Sequence, residues 1–180
     1  MKYIFLDRDG IINEDTGYVY RKEDFHIIPG VIEAIKILTN NNYKIIIITN
    51  QAGIGRGLYT EVDVENLHNY FQEVLKLNNL KIERFYFCPH HQEKGITQEY
   101  KQDCSCRKPK PGMILQAQKD LNISNLSEYF FIGDKGSDIK AGKAAGCKTI
   151  LVKGQYYTGK ENPDYITQNL YTAVKEIVLQ

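Results

Sequence analysis

The sequence predicts an α/β fold: a doubly wound domain whose parallel sheet is flanked by helices on both faces. Three observations predict it. Short β-branched or aromatic runs alternate with longer segments of helical period along the chain. The run Ile45–Ile48 is apolar without a break, as a strand covered on both faces has to be. The residues best suited to chemistry fall at strand ends, where open parallel sheets bind their ligands.

The elements follow in order. Tyr3–Leu6 is a strand ending at Asp7. Pro29–Asn41 has Val31, Ile35 and Leu38 on one helical face, with Pro29 near its start. Lys44–Thr49 is the buried strand. Thr60 is placed to cap a helix running to Leu77, with Glu61 and Asp63 in its first turn. Ile82–Cys88 makes a third strand, and a polar stretch from Pro89 to Lys110 follows it. That stretch is too long for an idle loop in a compact domain and needs its own source of order. Gly112–Leu121 is a helix, Tyr129–Gly133 a strand, Ser137–Ala145 a small-residue helix, Lys148–Val152 a fifth strand and Asn169–Leu179 a closing helix. No linker or repeat divides residues 1–180, so one domain is expected, without room for a large cap.

Composition narrows the function classes. Lys and Arg total 23 against 22 Asp and Glu, a net charge of +1, which leaves no basic footprint for nucleic acid or an anionic membrane. Asp7, Arg8 and Asp9 interrupt any secretory leader, and no apolar run reaches membrane-spanning length. A cytoplasmic protein, acting as a monomer on a small molecule, is expected. Four cysteines in that compartment point to metal binding or burial rather than disulfides.

At the strand ends stand Asp7-Arg8-Asp9-Gly10, Thr49-Asn50-Gln51 and Gly133-Asp134-Lys135, with Lys108 between the third strand and the helix that follows it. Three carboxylates converging on one edge repel one another and call for a hard cation, which suits Mg²⁺. Taken singly, Asp-x-Asp-Gly is an ordinary turn. A calcium loop fails because Ile11 takes a ligand position, and Gly53-x-Gly55-x-Gly57 misses dinucleotide spacing by one residue. Cys88-Pro89-His90-His91 followed by Cys104-Ser105-Cys106 has the spacing of a closed zinc site. Cys88, His90, Cys104 and Cys106 form the expected set, with His91 as the alternative imidazole. Such an ion would order the polar stretch. Cys147 is expected to be a small core residue.

In register, these motifs resemble the haloacid dehalogenase superfamily. The expected strand order, 3-2-1-4-5, is what this resemblance implies. The resemblance implies that Asp7 is a phosphoryl-accepting nucleophile and Asp9 its general acid and base. It also implies that Thr49 and Lys108 stabilise the phosphoryl group, and that Asp7, the main-chain carbonyl of Asp9 and Asp134 hold Mg²⁺. Asp138, one helical turn on, is expected either to support the site from behind or to be an ordinary exposed helix acid. Adding Gly17-Tyr18-Val19, the Gly53–Gly57 run and Cys104-Ser105-Cys106-Arg107-Lys108-Pro109, the chain resembles the D-glycero-D-manno-heptose-1,7-bisphosphate phosphatases over nearly its whole length. This closer resemblance implies a sugar-bisphosphate substrate contacted by Asp15, Thr16, Gly17, Tyr18, Asn50, Gln51, Ala52, Arg107 and Lys135. It further implies loss of the C7 phosphate during nucleotide-activated heptose synthesis. Ile11 and Gly136-Ser137 depart from the family pattern without removing a needed group. Histidinol-phosphate phosphatases share the zinc loop and Arg-Lys-Pro but have less between their cysteine pairs. A zinc-stapled binding module would have no use for both Asp7 and Asp9.

Overall fold

The computed structural model describes residues 2–180. Its centre is a six-stranded, all-parallel sheet: β1 (Lys2–Leu6), β2 (Tyr43–Asn50), β3 (Arg84–Cys88), β4 (Phe130–Gly133), β5 (Lys148–Val152) and β6 (Tyr165–Thr167). The order is β3-β2-β1-β4-β5-β6, the expected arrangement with one strand added at the edge. β1 lies between β2 and β4, pairing Ile4 with Ile45 and Phe130. Asp7 therefore emerges at the middle of the sheet's carboxyl edge, flanked by the ends of β2 and β4.

Alternation along β1 and β2 explains the unbroken apolar runs. Ile4, Leu6, Ile45 and Ile47 face a core completed by helices α1 (Val31–Asn40), α3 (Glu61–Lys76) and α6 (Leu170–Ala173). Phe5, Ile46 and Ile48 face the opposite layer, formed by α4 (Gly112–Asp120) and α5 (Gly136–Ala145). Cys147 belongs to this second core, buried as expected. The Thr60 cap forms as read: its hydroxyl accepts the Asp63 amide, and the Asp63 carboxylate accepts the Thr60 amide.

Beyond shifts of a residue or two at element ends, four features of the fold call for comment. The third strand begins at Arg84 because Gln72 takes both main-chain groups of Ile82, at 2.8 and 2.9 Å. The Gly-rich run forms a short helix, α2 (Ala52–Gly55), which packs its bare backbone on the polar stretch. A Cβ at Gly55 would lie 2.6 Å from the Pro89 carbonyl. The closing helix holds α geometry only through α6, then widens to a π turn over Val174–Val178. β6 is the unforeseen edge strand, joined to β5 through Asp164, whose carboxylate accepts from the amide and hydroxyl of Thr149. Between β1 and β2 the chain forms only a 3₁₀ turn at Lys22–Asp24 and α1, so no cap domain is inserted there.

Candidate active site

The site is built outward from Asp7. Its carboxylate is buried, accepts the Arg8 amide at 2.8 Å and lies 2.8 Å from the Lys108 ammonium. Lys108 also reaches Asp138 Oδ1 at 2.7 Å and donates to the Ile48 carbonyl at 2.8 Å. Burial opposes its charge, yet Asp138 and Asp7 outweigh that and hold the ammonium above its usual range. Asp138 is thus a buried partner of Lys108, and its other oxygen accepts the Lys135 amide at the start of α5.

Asp134 completes the floor. One oxygen each from Asp7, Asp134 and Asp138 lie within 4.8 Å of one another. Burial, with help from Asp138, pushes Asp7 up to about 6. Burial, then the Asp7 charge, pushes Asp134 up to about 8. Asp134 Oδ1 is buried without a hydrogen-bond partner. An orphaned carboxylate oxygen among mutually repelling acids fits a hard divalent cation. Gly10 keeps the space open: at φ +92° a Cβ there would fall 2.3 Å from Asp134 Oδ2.

Asp9 faces another way. Its carboxylate receives the fully buried Arg8 guanidinium at 2.9 and 3.0 Å, Asn13 Nδ2 at 2.9 Å and Gln51 Nε2 at 2.9 Å. Arg8 is itself held by the Val19 carbonyl at 2.6 Å and by His68 Nε2. Gln51 also donates to Thr49 Oγ1, and its carbonyl accepts from Tyr59, whose hydroxyl burial pushes up to about 12. With its oxygen already accepting, Thr49 has its hydroxyl proton left to give.

Above this floor opens a cavity of about 430 Å³. Its walls carry the expected Asp15, Gly17, Tyr18, Asn50, Gln51, Ala52, Arg107 and Lys135. Thr16 does not join them; it is exposed beside the loop. Asn50 and Gln51 line the wall, but their amides are engaged by protein: Asn50 clamps both main-chain groups of Lys108, at 3.0 Å each. Lys135 pairs with Asp15 at 2.8 Å; Asp7, Asp134 and Asp15 together overcome its burial and raise its pKa.

The polar stretch is tied by a separate cluster. The Cys88, Cys104 and Cys106 sulfurs lie 3.2–3.5 Å apart, and His90 Nδ1 is 3.3 Å from Cys106 and 3.6 Å from Cys88. Hydrogen bonding with Cys88, aided by Cys104 and His90, brings the Cys106 thiol down to about 5 despite burial. Three soft sulfurs and one imidazole nitrogen, gathered within 4.8 Å, fit a closed zinc site. His91 is not in this set.

Comparison with known proteins agrees with this geometry. A family model described as HAD-hydrolase-like matches residues 105–173. The Pasteurella multocida protein named D-glycero-beta-D-manno-heptose-1,7-bisphosphate 7-phosphatase is 45% identical over 94% of this chain and 92% of its own. The chain belongs to the heptose-1,7-bisphosphate 7-phosphatase family. A family relative from Photorhabdus laumondii, named for the alpha anomer, is 41% identical over 98% of this chain and 97% of its own. Among solved structures, the D,D-heptose 1,7-bisphosphate phosphatase from B. bronchiseptica, complexed with magnesium and phosphate, superposes with a TM-score of 0.85. It is 26% identical and covers 99% of both chains.

Within this family frame, the Ile54–Tyr59 loop that the sequence placed beside the site contributes Tyr59 to the cavity, and three residues escaped the sequence reading: Ser137, Tyr156 and His91 line the same cavity. Tyr156 comes from the loop after β5 and sets its ring 4.4 Å from the Lys135 ammonium, while the neighbouring Gln155 donates to the Asp15 carbonyl. No motif marks that loop; only the order of strands, which places the end of β5 beside that of β4, could have pointed to it.

Proposed function

We propose that this chain, working as one domain, hydrolyses the C7 phosphate of D-glycero-D-manno-heptose 1,7-bisphosphate and leaves the C1 phosphate in place. The observation that carries the reading is the pairing of a phosphoryl-sized floor, Asp7 with Lys108, with two further cations, Arg107 and Lys135, on the wall of the same cavity. A monophosphate needs the floor alone. A bisphosphate uses both.

Asp7 attacks phosphorus and forms an aspartyl phosphate as the bond to the C7 oxygen breaks. Asp9 gives a proton to the departing alkoxide. It then takes one from the water that attacks the aspartyl phosphate, releasing phosphate and restoring Asp7. Thr49 donates a hydrogen bond and Lys108 a charge to the phosphoryl oxygens, where charge spreads in the transition state. Asp7, Asp134 and the Asp9 main-chain carbonyl would hold magnesium, which supplies charge neutralisation at a phosphoryl oxygen when bound. Arg8, Asn13 and Gln51 fix the Asp9 carboxylate between its two tasks. Arg107 offers a planar fork to the retained phosphate, and Lys135 a point charge. Zinc in the cysteine cluster would fix the segment that presents Arg107 and Lys108, two residues that directly follow Cys106.

The same reading takes the chain as a cytoplasmic monomer; its net charge of +1 supports a small sugar rather than a polyanion as partner. The test is phosphate release from heptose 1,7-bisphosphate compared with histidinol phosphate. The bisphosphate is expected to turn over faster, and the reverse order would overturn the substrate assignment.

A further inference from the structure

Two imidazoles stand in tandem in Cys88-Pro89-His90-His91, and the fold gives them different work. His90 turns its Nδ1 into the cysteine cluster. His91 turns its Nδ1 onto the chain that follows, accepting the main-chain amides of Glu93 at 3.3 Å and Lys94 at 3.2 Å. Its own amide donates to the Tyr100 carbonyl at 3.0 Å, which anchors the residue from the other side.

A ring nitrogen that accepts from two amides must present its lone pair, so in the neutral ring the proton resides on Nε2. Nε2 takes no part in these bonds. His91 borders both the 430 Å³ cavity over the catalytic floor and an adjoining one of about 400 Å³, and Arg107 borders both with it. Arg107 is steadied there by donating to the His90 carbonyl at 3.2 Å.

Resting on the substrate reading above, we propose that His91 is a specificity-determining residue: its Nε2–H donates to the substrate phosphate that is retained, beside Arg107. A guanidinium supplies charge but accepts many approach directions. A neutral N–H fixed by two backbone amides adds a directed donor without a second positive charge against Arg107. The competing role is purely local, with Nδ1 acting only to close the turn at Glu93 and Lys94.

His91→Asn separates the two roles, because its carbonyl can still accept the two amides while nothing reaches the cavity. In zinc- and magnesium-loaded protein, kcat/KM for heptose 1,7-bisphosphate should fall about tenfold, mainly through KM, the scale of one lost hydrogen bond to a charged group. Turnover of p-nitrophenyl phosphate and zinc content should stay at wild-type values. Equal losses on both substrates, no loss on the bisphosphate, or departure of zinc would each overturn the inference. Wild-type turnover of the bisphosphate is measured first: its absence would overturn the substrate reading itself, whereas normal turnover with an unaffected variant overturns only the role of His91. A second readout survives poor folding of the variant. In Asp7→Asn protein with ring-labelled histidine, the His91 Nε2–H NMR signal should shift with heptose 1,7-bisphosphate and hold still with heptose 7-phosphate. Identical responses to the two would contradict the proposal.

Discussion

At the scale of single residues, the site is a set of buried charges that answer one another. Asp7→Asn should keep the fold and cost on the order of 10⁴-fold or more in kcat, the scale on which losing a nucleophile registers. Residual activity within tenfold would contradict its role. Arg8 is the largest fully buried side chain, and it holds Asp9, the Val19 carbonyl and His68 together. Arg8→Met should therefore destabilise by about 3–5 kcal/mol, as removing one partner of a buried pair does, and denaturant unfolding would measure it. The pH behaviour follows from Asp7 at about 6 and Asp134 at about 8. Both lie above the unfolded value of about 3.9, so the metal-free folded state holds the extra protons. Their contribution to stability is full below that value and is lost as pH rises through 6 and then 8. His68 runs the other way: burial, then Arg8, lowers it to about 3, so its contribution is full above the unfolded value of about 6.5 and fades as pH falls. Magnesium replaces protons only at the carboxylates. The gain in melting temperature on adding Mg²⁺ should grow with pH between about 5.5 and 8.5, and a gain independent of pH would contradict the linkage. Asp7, Asp9 and Lys108 were legible in the sequence because each sits in a motif. Arg8 was not, because a charged residue between two aspartates looks like surface until the fold buries it.

At the scale of elements, the 89–110 stretch depends on its cysteine cluster, and α2 depends on lying flat against that stretch. Cys106→Ser should lose zinc, loosen the stretch and depress activity by displacing Lys108; metal analysis alongside kinetics would check this. A zinc-free, fully active variant would show that the cluster is not what positions Lys108. The long helices and buried strands were legible because their periods persist over many residues. β6 was not: its three residues, Tyr165–Thr167, tied to β5 by the preceding Asp164, carry no period to detect. The Gly53–Gly57 run was visible as a feature but not as a helix, since its glycines serve close backbone approach rather than a phosphate loop. Tyr156 lay in the same blind region. Tyr156→Ala should raise KM for the bisphosphate by several-fold, on the order of 1 kcal/mol for a cation–π contact, while Tyr156→Phe should restore most of it.

At the scale of the whole molecule, strand order decides the function. Because β1 lies between β2 and β4, the sequence-distant Asp7, Thr49 and Asp134 meet at one edge, and the crossover after β3 brings Lys108 over them. That convergence was readable once five strands were counted, and the sixth lengthened the sheet without moving the site. What the sequence could not convey was which wall residues are free for substrate and which are spent on protein, as Asn50 and Gln51 are. The central claim is removal of one particular phosphate from a sugar bisphosphate, and phosphorus NMR of the reaction tests it most directly. With D-glycero-D-manno-heptose 1,7-bisphosphate and Mg²⁺, the C7 resonance should vanish into inorganic phosphate while the C1 resonance persists. Loss of the C1 resonance first, or no reaction where histidinol phosphate is consumed, would contradict it.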